Sequence, residues 1–481
     1  PGYTYMPYDR LVNEDGTHYI NRQEDRYNAS QVNTLVSNGL YNLDITPLDE
    51  LGRNVTDNHD FSNRTFARLT FKFTDWLRYT ASFQYEYAEY KTEQLKDKNS
   101  YDVRNTINSY ATSENGKTVF NLPYGNIYYT SANTTHAYNF RQQLDFDKTF
   151  GGVHAVTALI GSETRENKND FNNRTLYNYD PDLLSYTLID QATLSGIYGL
   201  WGWASFSQQN AAYVRQLINR YVSFYGNAAY TYDDKYSVTG SIRWDKTNLF
   251  ATGSKYQKRP IWSVGASWNL HREKFIQETN WINMLKLRFS YGIGGNIAKN
   301  SAPYMTAYYN NNIHVGGISG TIQSRPNPDL RWEKTTTTNI GIDFSTLKNR
   351  LSGSIEYYNK KGSDLLANTN GVPTEGWGYS TYTINNGKMT NQGFELSLSG
   401  VAVSTRDWTW NIGGVLGFNK NKVTYVNVEA PISYLVIDYP SAYPRVGNPY
   451  NAIYGYQWAG LSAEGTPQVY DAEGNLFTDM E

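Results

Sequence analysis

Residues able to do chemistry are few and scattered in this chain. The six histidines (His18, His59, His136, His154, His271 and His314) never lie close enough to suggest a metal pair, and no His-Glu-x-x-His run occurs. Cysteine is absent, which removes disulfides, thiolate metal sites and cysteine nucleophiles together. Gly292-Ile293-Gly294-Gly295 follows a strand-like run, but its spacing is not that of a dinucleotide loop and no helical pattern follows it. It reads as a glycine-rich strand end. Glu14-Asp15-Gly16 and Asp471-Ala472-Glu473-Gly474 supply too few ligands for a calcium loop and read as hairpin turns. No Gly-x-Ser-x-Gly elbow is present. Nothing positive supports an enzyme, a cofactor or a metal site.

Binding chemistry is better represented, by aromatic rings in polar stretches. Trp377 and Tyr379 follow Pro373 and Gly376 in a stretch otherwise poor in apolar residues. Tyr304, Tyr308 and Tyr309 cluster in another, and Tyr128, Tyr129 and Tyr138 close a third. Rings so placed can stack on sugars or hold a peptide backbone; packing of loop against loop is the plainer alternative. Trp377, Tyr379, Tyr308 and Tyr309 are the candidate substrate contacts.

What positions these residues is a ladder of strands. From Leu77 every second residue is apolar (Leu77, Tyr79, Ala81, Phe83, Tyr85, Tyr87), while Arg78, Thr80, Ser82, Gln84 and Glu86 lie between them. A period of two is the signature of a strand with one apolar and one polar face. The pattern returns over 285–293 and over 408–418, where Val415 breaks the polar series. Shorter copies occupy 236–244, 262–270, 340–344, 351–357 and 394–398. About twelve strands result, with a weaker one at 454–458. Joints such as Thr74-Asp75-Trp76, Phe150-Gly151-Gly152, Asp233-Asp234-Lys235, Leu347-Lys348-Asn349 and Thr405-Arg406-Asp407 are tight and carry hairpin residues. Between them run long polar connections, at roughly 90–135, 167–213, 295–331, 361–387 and 420–448.

The composition agrees with such a ladder. Of 481 residues, 43 are basic and 45 acidic, a net charge of −2 that offers no field for nucleic acid. Charged residues make up 18%, below the roughly 25% of ordinary soluble domains, and 43 residues are tyrosine, which suits surfaces apolar at one end and wet at the other. No run of 18 apolar residues exists, so helical membrane proteins are excluded. Two all-β architectures remain. A soluble sandwich would bury the apolar face against a second sheet; a transmembrane barrel would bury it in lipid. Polar residues at the inward positions, strands of about eleven residues, and rings near strand ends (Trp76, Tyr87, Trp244, Trp268, Tyr291, Trp408, Phe418) favour an antiparallel transmembrane β-barrel. The luminal charges, among them Arg78, Glu86, Lys286, Arg288 and Glu356, carry both signs and imply no ligand charge.

Several segments resemble the SusC/RagA class of TonB-dependent outer-membrane transporters. One runs Asn327-Pro328-Asp329-Leu330-Arg331-Trp332-Glu333-Lys334-Thr335 and continues through Asn339-Ile340-Gly341 and Asn349-Arg350-Leu351 to Asp364-Leu365-Leu366. Others are Asn386-Gly387-Lys388-Met389-Thr390-Asn391-Gln392-Gly393-Phe394, Asp234-Lys235-Tyr236 leading to Arg243-Trp244-Asp245, and Gly447-Asn448-Pro449. Asn391 and Gly393 read as a strand start, where a small residue permits close backbone approach. The resemblance spans nearly the whole chain and implies an all-β barrel of 22 strands with a plugged lumen, of which this chain supplies about 12–13. Residues 1–481 would all belong to that one barrel domain. The plug domain, the TonB box and the C-terminal strands of such a protein are not recognisable here and are expected outside the chain. By the same resemblance the complete protein would be a nutrient importer in the outer membrane of a Gram-negative, Bacteroidota-like bacterium. Its cargo would be a glycan oligomer or a peptide, its partners a SusD-like surface lipoprotein, TonB and membrane lipid. A non-transporting outer-membrane or surface β protein, an adhesin or passive porin, is the alternative.

Overall fold

A computed structural model describes residues 9–20, 29–200, 202–204, 206, 211–249, 259–296, 303–312, 317–376, 381–430, 434–471 and 473–477. Twelve strands follow one another in a single antiparallel path in which each pairs with its chain neighbours. They are β1 (Asn54–Thr74), β2 (Leu77–Lys96), β3 (Asn126–Phe150), β4 (His154–Asp180), β5 (Ala212–Tyr232) and β6 (Tyr236–Thr247). The path continues through β7 (Ile261–Asn269), β8 (Ile282–Asn296), β9 (Glu333–Thr346), β10 (Leu351–Asn370), β11 (Thr381–Ser404) and β12 (Thr409–Tyr425). This is an up-and-down meander with β1 and β12 at its two edges.

The joints alternate as their residues demand. Gly151 and Gly152 join β3 to β4 with φ of 55° and 73°, and Asp233 and Asp234 join β5 to β6 with φ of 48° and 51°. Positive φ at successive turn residues matches the twist of the flanking strands. The short joint from β7 to β8 is longer than the rest and contains a helical turn, Lys274–Gln277. The weak strand expected at 454–458 forms at Gln457–Leu461, outside the meander, in a small sheet with Pro467–Tyr470 and Leu476–Phe477. Gly474 N–H donates to the Asp471 carbonyl at 3.2 Å and Gly16 N–H to the Asn13 carbonyl at 3.1 Å, the bond that closes a turn.

Register keeps one face apolar through the whole sheet. Leu69, Ala81, Phe71 and Tyr79 meet across β1 and β2; Phe289, Ile340, Tyr357, Phe394 and Phe418 meet across β8 to β12. These side chains are exposed: Leu69 is 63% accessible and Phe418 63%. The fully buried apolar residues lie elsewhere. Leu43, Val103, Leu122 and Leu194 are each 0% accessible, and all belong to the segment before β1 or to the long connections. A sandwich would place its core between sheet faces; here the sheet carries an uncovered apolar band too large for a soluble surface.

From Leu77 to Tyr87 is about 33 Å along the strand, or roughly 25 Å across a bilayer at a tilt near 40°. β2 has 20 residues and runs well past that band. Rings mark both borders. Trp76 packs on Phe146, with centroids 5.4 Å apart, and Tyr236 stacks on Trp268 at the short-turn end. Phe61, Tyr87 and His136 adjoin one another, as do Trp262 and Tyr291, toward the other end. Tyr87, Tyr291 and Phe418 therefore lie inside strands and not near their ends, because those strands outrun the membrane.

The long connections build a cap of their own. The helix α1 (Ala29–Ser37), the helix α2 (Tyr101–Ser109) and the hairpins 111–120 and 197–204 enclose two apolar clusters. Val103, Ile107, Leu122, Leu194 and Phe206 fill one cluster; Leu35, Leu40, Leu43 and Ile45 fill the other.

Candidate functional site

The polar face of the meander, opposite the apolar band, carries its charged and hydrogen-bonding side chains. Its side chains come from alternate positions of every strand, so each is aimed by the same register that turns its neighbours to lipid. Two tyrosines lie flat over glycines of the adjoining strand. The phenol of Tyr225 on β5 occupies the space a side chain at Gly161 would need, and that of Tyr358 on β10 does the same over Gly393. Gly393 sits within β11 and not at its start, but its smallness serves the close approach expected of it. Arg141 donates to the Tyr225 hydroxyl at 2.6 Å, and the guanidiniums of Arg141 and Arg243 lie 5.0 and 5.7 Å from its ring. Asn419 donates to the Tyr358 hydroxyl at 2.7 Å.

Two arginines anchor polar clusters beside these tyrosines. Arg243 reaches Asp245 at 2.9 Å, Glu163 at 3.2 Å and the Ser223 hydroxyl at 2.9 Å, bridging β4, β5 and β6. Arg288 forks onto Asp343 at 2.7 and 2.8 Å and reaches Glu356 at 2.6 Å, bridging β8, β9 and β10. Planar guanidinium donors suit such two-carboxylate arrangements. Beyond Arg243 the wall softens into hydroxyls and glycines: Ser241, Ser263, Ser290, Gly292 and Thr337 border a recess of about 590 Å³.

The cap is held by polar contacts as well as by its clusters. The Ser100 hydroxyl accepts from Val103 N–H and caps α2. Arg104 donates to the carbonyls of Asn42 and Asp44 and pairs with Glu50. Partial burial pulls the Asp102 carboxyl upward, but Lys96 at 3.1 Å and a hydrogen bond from Asn54 outweigh it and hold the group below the usual aspartate range. Burial pushes the Tyr110 phenol above its ordinary value.

The aromatic candidates meet different fates. Trp377 and Tyr379 lie outside the described residues. Tyr308 and Tyr309 fall on a hairpin strand, Thr306–Asn312, paired with Gly317–Ser324 in the connection between β8 and β9. Tyr309 is exposed and rests against Gly320. Tyr128, Tyr129 and Tyr138 belong to β3 and not to a loop. Tyr128 and Tyr129 are successive strand positions on opposite faces, so they cannot form one platform. Tyr128 stacks instead on Tyr179 of β4, with centroids 4.6 Å apart. Among the described residues no group of three or more His, Asp and Glu is placed to hold a metal ion.

Comparison with known proteins covers most of the chain. The family described as TonB dependent receptor-like, beta-barrel, matches residues 4–475. The TonB-dependent receptor P39 of Formosa agariphila is 27% identical over 444 residues, which is 90% of this chain and 37% of that protein. The TonB-dependent receptor SusC of Bacteroides thetaiotaomicron is 32% identical over 308 residues, 58% of this chain and 29% of that protein. The chain thus spans about a third of the length of the curated relatives it matches. Among solved structures, the RagAB peptide importer in its closed-closed state shares the fold with a TM-score of 0.69 at 21% identity, covering 89% of this chain and 44% of that one.

Proposed function

The chain belongs to the TonB-dependent receptor β-barrel family, and on that premise we propose that it forms the larger part of the barrel wall of an outer-membrane importer for a bulky nutrient. Proteins of this family are receptors and transporters of the outer membrane, not enzymes. The observation that carries the importer reading is the continuous meander with lipid-facing and polar faces kept in register through twelve strands. It has tight turns at one end and a structured cap at the other. All 481 residues are assigned to one barrel domain, with a plug and further strands supplied by the rest of the protein.

The cargo is a glycan oligomer or a peptide. One solved neighbour is named a peptide importer, which favours the peptide; the glycan rests on the sequence resemblance alone. A SusD-like surface lipoprotein is the proposed partner at the cap end, and TonB the source of work at the turn end. Trp377, Tyr379, Tyr308 and Tyr309 are the proposed substrate contacts. The test is uptake of a labelled panel of glycans and peptides by cells with and without the complete receptor. Loss of one cargo class on deleting the receptor, and again on deleting TonB, is expected. Uptake that persists without TonB would overturn the proposal.

A further inference from the structure

Elsewhere on the polar face, arginines meet carboxylates: Arg64 pairs with Glu86, Arg243 with Glu163 and Asp245, Arg288 with Asp343 and Glu356. Beside the Asp75–Trp76 turn cations outnumber carboxylates, although Arg78 faces Asp145 and Arg141 faces Glu163 across the ladder. Lys72 stands directly opposite Arg78 in the ladder of β1 and β2, and Arg68 shares a row with Ser82 and Arg141. Like charges directly opposite one another destabilise a strand pair. The carboxylate in the Lys72 row, Asp145, lies across from Arg78 and takes the amide of Gln143. Arg141 spends its hydrogen bonds on two neutral groups, the Tyr225 hydroxyl and the Gln143 amide oxygen. None of Arg68, Lys72, Arg78 and Arg141 forms an ion pair with a described carboxylate.

These four cations border a recess of about 420 Å³ whose remaining wall is the hydroxyls of Thr70, Thr80 and Ser82, the amide of Gln143 and one carboxylate, Asp145. Four cations against one carboxylate leave the recess with an excess of donors and positive charge, the chemistry that suits a carboxylate, sulfate or phosphate group. We propose that it is an oxyanion site at the turn end of the lumen, holding acidic groups of the solute in transit. This rests on the importer reading and adds a charge to its cargo: an oligomer bearing carboxylate or sulfate groups. The mixed signs of the luminal residues hide this in the sequence, because only the structure shows that the carboxylates facing Arg78 and Arg141 are taken up by Gln143 and Arg243.

The test uses the complete receptor in detergent, as wild type, Lys72→Gln and Arg78→Gln, with thermal unfolding followed in sulfate and in chloride of matched ionic strength. Sulfate strengthens burial in any protein, so the quantity read is the wild-type shift minus the variant shift. In low-salt chloride the variants should unfold at or above the wild-type temperature, because a like-charge contact is relieved. The sulfate shift of the wild type should exceed theirs, and oligogalacturonate in place of sulfate should give the same difference. Variants less stable than wild type in low-salt chloride would mean that the protein's own carboxylates already fill the site, and would overturn the proposal. Equal shifts of all three proteins with both ligands would overturn it too. Uptake is not part of this measurement, so the importer reading and the oxyanion site can fail separately.

Discussion

Position 161 admits no side chain because the phenol of Tyr225 and the backbone carbonyl of Gln142 fill the space above it. The cost of Gly161→Val is then overpacking, about 1–3 kcal/mol, and it falls on a tyrosine that also accepts from Arg141. The complete receptor carrying Gly161→Val should show a smaller heat-resistant folded fraction on gel electrophoresis than wild type. Adding Tyr225→Ala should restore part of that loss, since the two residues are in contact and their effects should not add. Additive losses would show that the two do not act as a pair. Nothing in the sequence marked Gly161 out. Its partner is far along the chain, and the contact exists only once β4 and β5 settle into one register.

A second residue-scale consequence concerns acidity. Asp102 has its carboxyl held below the usual value in the cap, so it contributes stability that is fully present above the ordinary aspartate range. That contribution is lost as pH falls through the lowered folded value. The protection of the α2 amides, taken relative to their intrinsic exchange rate at each pH, should therefore be unchanged between pH 7 and 5 and should fall on acidification below about 4. Asp102→Asn should abolish that acid-dependent step while leaving exchange in the meander strands as it was.

At the scale of elements, alternation revealed which face of each strand is which but not where the strand ends. In β2 it was legible from Leu77 to Tyr87 and then faded, although the strand continues to Lys96. Past the membrane both faces meet water, and Glu89, Lys91 and Glu93 replace the apolar series on the outward face. A strand without an apolar face leaves no period-two signal. The cap was illegible for the opposite reason, since its clusters combine residues of the segment before β1 and of two separate connections, none of them periodic over any length. What the alternation does license is a test of faces. Phe289 pairs with Ile340 on the lipid face and Ser290 with Asn339 on the polar face. Phe289→Arg should impair folding by about 2–4 kcal/mol if it lies near the bilayer midplane, and Ser290→Arg should be better tolerated. Folding yields of the complete receptor into lipid vesicles measure both. Equal losses, or the reverse order, would refute the assignment of faces.

At the scale of the whole molecule, the decisive feature is the pair of edges. Among the described residues β1 pairs only with β2 and β12 only with β11. Each edge carries unpaired backbone groups at alternate positions of its membrane-crossing stretch. In hydrocarbon each such group costs several kcal/mol, and a handful per edge exceeds the roughly 5–15 kcal/mol that stabilises a typical folded domain. An open twelve-strand sheet cannot therefore persist in lipid; it must be closed by other strands or close on itself. Barrels of twelve strands lie within the range that closes, so self-closure is a real competitor. Yet in this structure β1 and β12 remain apart while every internal pair is in register. This chain expressed and refolded alone should consequently fail to give a heat-resistant monomer on gel electrophoresis, whereas the complete receptor should give one. A heat-resistant monomer from the chain alone would show that β1 and β12 can pair, and with it the reading of this chain as the larger part of a bigger ring would fall.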